Sequence, residues 1–216
     1  MTVRFHQELE QLQIDVLEMG NLARTMLSES IDALVNQDTD LAEEIIAKKY
    51  ELHKMDFTIE ERTLHLMNLF QPMATDMRIV ACILKLITYL ARIGQYGKDN
   101  ASISIELAKE PHVKKLVSLP YMRDLVCGMI DDALKAFETK DIAPIAKIAE
   151  RDDTIDELYY SIFRECLTYM MEDQKTITRC VNYIMVARHL ERCGDHACKM
   201  AEKIHYMVTG EHIEIK

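Results

Sequence analysis

The sequence predicts an all-α protein: six long helices arranged as a tandem duplication of a three-helix bundle unit. Three observations carry that reading. Apolar residues recur at three- and four-residue spacing over long segments, the polar breaks between them are short, and matching sequence returns 100 residues further on. Composition agrees. The 216 residues include only six Gly and four Pro, no Trp and 14 Met, a balance that favours helix over strand. With 49% hydrophobic residues the chain has the apolar surface to fold around a core.

The first helix follows from Phe5, Leu9, Leu12, Val16, Met19, Ala23 and Met26, continues through Ile31 and Leu34, and ends near Asn36-Gln37-Asp38-Thr39-Asp40. Asp40 and Glu43 have capping-box spacing and open a second helix from Leu41 to about Phe70, which Gln71-Pro72 stops. Thr75 and Asp76 cap a third helix, carrying Ile79, Ile83, Leu84, Ile87 and Leu90 toward Leu107. Residues 108–120, with Pro111 and Pro120, read as a connection. The pattern then restarts with a helix over 125–137, a second capped by Asp141 and running to about Met170, and a third opened by Asp173 and ending before Gly210. The domain division is therefore 1–107, 108–120 and 121–216.

The duplication is read from three matches. Asp32-Ala33-Leu34 pairs with Asp132-Ala133-Leu134, Met55-Asp56 with Ile155-Asp156, and Leu90-Ala91-Arg92-Ile93-Gly94 with Leu190-Glu191-Arg192-Cys193-Gly194. Each unit buries one apolar face per helix, so two three-helix bundles pack side by side or end to end.

Charge and motifs exclude several function classes. A net charge of −10, with no basic run longer than two residues, argues against nucleic acid as a partner. The first ten residues carry acids where a signal peptide places its apolar stretch, and the most apolar segment, 79–93, is interrupted by Lys85 and shorter than the roughly 20 residues a span requires. Six Cys at 82, 127, 166, 180, 193 and 198 form no CxxC pair and read as reduced thiols of a cytoplasmic protein. Gly-x-Ser-x-Gly, P-loop and Rossmann fingerprints are absent.

One chemistry-bearing pattern stands out. Glu191, Asp195, Cys198, Glu202 and His205 fall within about 80° of one another at 3.6 residues per turn, forming one face of the last helix. Asp152, Asp153 and Asp156 on the preceding helix line up with it if the two are antiparallel neighbours. Carboxylates one turn apart repel unless compensated, either by a shared cation such as iron, manganese or zinc, or by Arg151, Arg188 and Arg192; an ordinary solvated face is the plain alternative. In the first half the stripe becomes Ala91, Gln95, Lys98, Ser102 and Ile105, leaving Asp56 and Asp99 as remnants. A di-metal enzyme of the ferritin-like kind needs two Glu-x-x-His motifs, and only Glu202-x-x-His205 is present. His189, Cys193 and His196 share another face but lack a fourth zinc ligand.

The segment Leu190-Glu-Arg-Cys-Gly-Asp-His-Ala-Cys-Lys-Met-Ala-Glu202, followed by Ile204-His-Tyr-Met-Val-Thr-Gly-Glu211, resembles the carboxy-terminal signature of the PhoU family. Gln71-Pro-Met-Ala-Thr-Asp-Met-Arg78 resembles that family's Gln-Pro-x-Ala-x-Asp-Leu-Arg motif, and the likeness covers nearly the whole chain. The resemblance implies two three-helix repeats, often a homodimer, and a negative regulator of the phosphate-starvation response. It further implies a non-enzymatic cytoplasmic adaptor between the ATP-binding subunit of a phosphate importer and a sensor histidine kinase, reaching the membrane through those partners only. Some members carry iron or zinc clusters on Glu(Asp)-x-x-x-Asp motifs. Glu191 and Asp195 match that motif on one helix and Asp152 and Asp156 on another, with Asp153, Cys198, Glu202, His205, Asp56 and Asp99 as secondary candidates. Asp76, Arg78, Arg92 and Arg192 are the candidate partner contacts, with intramolecular ion pairs as the alternative.

Overall fold

A computed structural model describes residues 2–215; Met1 and Lys216, the outermost positions of the two expected repeats, lie outside it. Its helices are α1 (Thr2–Asn36), α2 (Thr39–Phe70), α3 (Thr75–Leu107), α4 (Ser118–Thr139), α5 (Ile148–Glu172) and α6 (Ile177–Thr209), with 3-10 turns at Ala143–Lys147 and Gln174–Thr176. Among the described residues there is no strand.

The helix ends refine the sequence reading. Asp38, not Asp40, caps α2, accepting from the Leu41 N–H, and Asp40 lies in the first turn where its charge suits the helix dipole. Ala74 precedes α3 without a side-chain cap. Pro120 belongs to the first turn of α4 rather than to the connection, because a proline there breaks no intrahelical hydrogen bond. Asp141 and Asp173 each accept from a backbone N–H two residues on, but each opens a 3-10 turn before its helix.

α1, α2 and α3 form one up-down-up bundle and α4, α5 and α6 another. α1 and α3 run parallel and touch at their backbones, since a Cβ on Gly97 would stand 2.8–2.9 Å from the main chain of Met26 and Leu27. The bundles lie side by side. α1 meets α4 antiparallel through Arg24 to Asp131 and through Arg123, which donates to the Ser28 carbonyl and to Asp32. α3 meets α6 antiparallel, Tyr89 and Tyr96 stacking on His196, and His189 Nδ1 donating to Asn100 Oδ1 at 2.8 Å. The connection is pinned between the bundles: one nitrogen of His112 meets the Leu34 carbonyl and the other the Tyr183 hydroxyl. Buried residues from all six helices consequently form one continuous core.

The repeat is real, but its register is not uniform. Val16, Met19, Ala23, Met26 and Leu27 are buried in α1 as Leu119, Met122, Val126, Met129 and Ile130 are in α4, an offset of 103 (119 − 16). Ile45, Leu52 and Ile59 of α2 correspond to Ile148, Ile155 and Ile162 of α5 at the same offset (148 − 45 = 103). Only α3 and α6 keep 100, with Ile83, Leu86, Leu90 and Ile93 matching Tyr183, Val186, Leu190 and Cys193. The Asp-Ala-Leu match and the Asp56–Asp156 match are therefore not structural equivalences. By burial, the first-bundle counterparts of Asp152 and Asp156 are Lys49 and His53.

Candidate functional site

α5 buries Ile148, Ile155 and Ile162, which fixes the helix so that Asp152 and Asp156 border α6. On α6, buried Leu190, Cys193 and Ala197 set the opposite rotation, and Glu191 and Asp195 come to the α5 side. The close approach depends on Gly194: a Cβ there would stand 2.9 Å from a carboxylate oxygen of Asp152. All four primary sequence candidates thus share one groove.

Crowding sets the electrostatics of this groove. Burial first, then Asp195, Asp156 and Asp153, push the Asp152 carboxyl up to about 6, against a hydrogen bond with Cys198. Burial and then Asp195 and Asp153 raise Asp156, with Arg192 opposing. Glu191 is raised chiefly by burial, and one of its oxygens is buried with no hydrogen-bond donor, the Arg192 Nε lying 3.4 Å away. Arg192 instead donates to Asp195 at 2.8 Å. Burial also raises the Cys198 thiol, so it stays protonated beside Asp152. Asp153 is exposed on the outer side of α5.

Of the secondary candidates only Cys198 joins the cluster. Buried Glu202 accepts from Lys199 and from the Ile215 N–H, tying the chain end back onto α6. His205 bonds the Glu211 carbonyl and Thr209 within the turn after α6. Asp99 is held by Gln95 and Lys98. Asp56 is raised by burial and Glu60 and lines a groove of about 700 Å³ between α2 and α3 with Lys49, His53, Arg92 and Gln95. The equivalent places in the two bundles therefore differ in charge: Lys49 and His53 stand in the first for Asp152 and Asp156, and Ala91 and Gln95 for Glu191 and Asp195.

Of the partner candidates, Arg78 donates to the Met207 carbonyl near the end of α6 and to Thr75. Asp76 lies 3.9 Å from His6. Arg92 is exposed in the α2/α3 groove, and Arg192 belongs to the carboxylate cluster. Two features escaped sequence reasoning. His189 and His196 pack against Tyr89, Tyr96 and Asn100, and both imidazoles are pushed down by burial. Gly194 stands in the signature segment and repeats Gly94, but neither says that it makes room for Asp152.

Among the described residues no three His, Cys, Asp or Glu side chains are arranged, as they stand, to hold a metal ion. What converges in the α5/α6 groove is four carboxylates from two helices, one Glu191 oxygen without a hydrogen-bond donor, and Arg192 as their internal counter-ion.

The fold and its site define a tandem-repeat helical protein whose charged groups lie along open helix faces. The PhoU domain model matches residues 16–104 and 119–204, two segments whose starts are 103 apart (119 − 16) and whose ends are 100 apart (204 − 104), as the burial register requires. The phosphate-specific transport system accessory protein PhoU homolog of Caulobacter vibrioides is 36% identical over 210 residues, covering 97% of this chain and 91% of that protein. The PhoU accessory protein of Escherichia coli K12 is 35% identical over 208 residues, covering 96% and 86%. The crystal structure of PhoU from Pseudomonas aeruginosa superimposes with a TM-score of 0.92 at 33% identity, covering 96% of this chain and 100% of that one. The chain belongs to the PhoU family.

Proposed function

We propose that this protein is a non-catalytic regulator of phosphate uptake and of phosphate-starvation signalling, an adaptor between the ATP-binding subunit of a phosphate importer and a sensor histidine kinase. The observation that supports this most is likeness over nearly the whole length, in sequence and fold, to proteins described as accessory to phosphate-specific transport. The protein acts in the cytoplasm as a homodimer and reaches the membrane through its partners; among the described residues no helix is long and apolar enough to cross a bilayer. It works by population shift, favouring the state of importer or kinase that it binds better. The acidic α5/α6 face meets basic surface on a partner, which speeds association and makes it salt-sensitive. Cross-linking followed by mass spectrometry in phosphate-rich and phosphate-starved cells tests the adaptor role. Recovery of the importer's ATPase subunit and a histidine kinase is expected; recovery of neither overturns it.

The Glu191 oxygen that lacks a hydrogen-bond donor and the raised Asp152 carboxyl favour a second, compatible reading, an iron or zinc centre on Asp152, Asp156, Glu191 and Asp195. Elemental analysis after loading with iron or zinc should show stoichiometric metal in the wild type and loss of it in Asp195→Ala and Asp156→Ala. Equal metal in all three proteins would remove the site.

A further inference from the structure

The outward face of the α5/α6 pair changes character along its length. One end carries Asp156 and Asp195 at the surface, with Asp152 and Glu191 half-buried behind them. Toward the 3-10 turn it carries Tyr160, Phe163 and Leu167 of α5 and Ile177, Val181 and Met185 of α6, between 38% and 58% exposed. At about 100° per residue, each apolar trio spans no more than about 80° and adjoins the carboxylates of its own helix. α5 and α6 are antiparallel, with Asp152 against Gly194 at one end and Cys166 beside Cys180 at the other. Both trios consequently face the same way at the same end.

The first bundle does not repeat this face. At the corresponding positions Phe57, Leu64, Met77 and Ala81 keep the apolar character, but Glu60 stands for Phe163, Lys85 for Met185, Lys49 for Asp152 and His53 for Asp156. A second-bundle surface with an apolar half and an acidic half is an asymmetry within the duplicated fold.

We propose that this face docks an amphipathic helix of a partner protein, apolar along one half and rich in Lys or Arg along the other. Asp152 to Leu167 is fifteen residues, roughly 23 Å at 1.5 Å per residue, so a helix of about 15–18 residues covers both ends. Charge complementarity selects this occupant. An anionic lipid surface is repelled by the carboxylate end. A second copy laid on the same face sets carboxylates either against carboxylates or against the apolar half, and both arrangements desolvate charge without pairing it. The basic helix alone satisfies both halves. The proposal deepens the adaptor reading and rests on it for the need of a partner, but its test uses neither importer nor kinase.

The test is fluorescence anisotropy with the purified full chain and two labelled 18-residue helical peptides, each with Leu at i, i+3, i+4 and i+7 in one half and four Lys in the other, in the two possible orders. Saturable binding of at least one peptide is expected, weakened about tenfold or more by the pair Leu167→Glu and Val181→Glu and by the pair Asp156→Lys and Asp195→Lys. Replacing Lys by Glu in the peptide should weaken binding similarly. All four substituted residues are at least partly exposed, and circular dichroism with an unchanged Tm confirms the fold. Absence of saturable binding below about 100 µM for both peptides overturns the proposal. So does binding that ignores the substitutions. Equal, variant-sensitive binding to phosphatidylserine vesicles, or conversion of an oligomer to monomer by Leu167→Glu in sedimentation, assigns the face to a membrane or to a second copy and overturns it as well. Peptide binding as expected with no importer or kinase cross-link sinks the adaptor reading while leaving this face standing.

Discussion

Gly97→Ala probes the backbone contact that holds the first bundle together. The added Cβ would stand 2.8 Å from the Met26 carbonyl carbon, 2.9 Å from the Leu27 nitrogen and 2.9 Å from the Met26 oxygen. None of these atoms can rotate away, so α1 and α3 must separate by about half an ångström to reach ordinary contact. Overpacking costs about 1–3 kcal/mol, and a clash with main chain, unlike one with a side chain, falls toward the upper end. Ala in place of Gly in a helix returns about 1 kcal/mol. The net expectation is about 2 kcal/mol of destabilisation, or roughly 4–8 °C in Tm for a chain of this size. Gly128→Ala on α4 is the internal reference: its Cβ would meet only the Arg151 Nη1 at 3.3 Å, the mobile end of a side chain. That variant should gain about 0.5–1 kcal/mol. Urea unfolding followed by circular dichroism reads both. A Gly97→Ala protein as stable as the wild type would refute the backbone contact, and a destabilised Gly128→Ala would refute the propensity counterweight.

Three further outcomes are expected. The folded state prefers Asp152 neutral, its carboxyl raised from 3.8 to about 6 by burial and nearby acids, so its ionisation costs stability as pH rises through that window; Asp152→Asn should exceed the wild type in denaturant midpoint at pH 8 and lose that advantage near pH 4, and a pH-independent gap would contradict the assignment. His189 and His196 are held below the ordinary histidine range by burial, with Arg188 pushing the same way on the first and Arg92 and Arg192 on the second, against Asp99 and Asp195. Their contribution is complete above about pH 6.5 and is lost as pH falls below it, so the pair His189→Gln and His196→Gln should flatten the acid-side loss of Tm; an unchanged slope would exclude these residues as its source. Arg123→Ala removes the hydrogen bonds to the Ser28 carbonyl and Asp32 from a side chain only 14% exposed and should cost about 1.5–3 kcal/mol, whereas Lys135→Ala, in an exposed pair with Glu138, should change stability by less than about 0.5 kcal/mol. Equal effects of these two substitutions would show that Arg123 does not join the bundles.

Much of the fold was legible because a long amphipathic helix repeats its signal at every turn. The spacing from Phe5 to Leu34 or from Ile79 to Leu107 leaves few alternatives, and the Gln71-Pro72 stop is local chemistry. The capping residues were less so: Asp38, Thr39 and Asp40 can each begin a helix by themselves, and packing of Ala42 and Ile45 into the core selects Asp38. The offset of 100 was legible for α3 and α6 but misled for the other pairs. A three-letter match such as Asp-Ala-Leu arises by chance, whereas burial compares many positions at once.

The same contrast governs the site. The sequence alone determined that Glu191 and Asp195 share a helix face, that Asp152 and Asp156 share another, and that the matching first-half stripe has lost its acids, since helical period acts within one element. It took packing between helices to show that Gly194 lets the two faces meet, that Glu202 and His205 bond Ile215 and Glu211 beyond α6, and that Lys49 and His53 occupy the places of Asp152 and Asp156. The physical reason is range. Periodicity fixes the direction of a side chain about its own helix axis, but which helix it then faces, and what charge it meets there, depends on contacts between segments far apart in the chain.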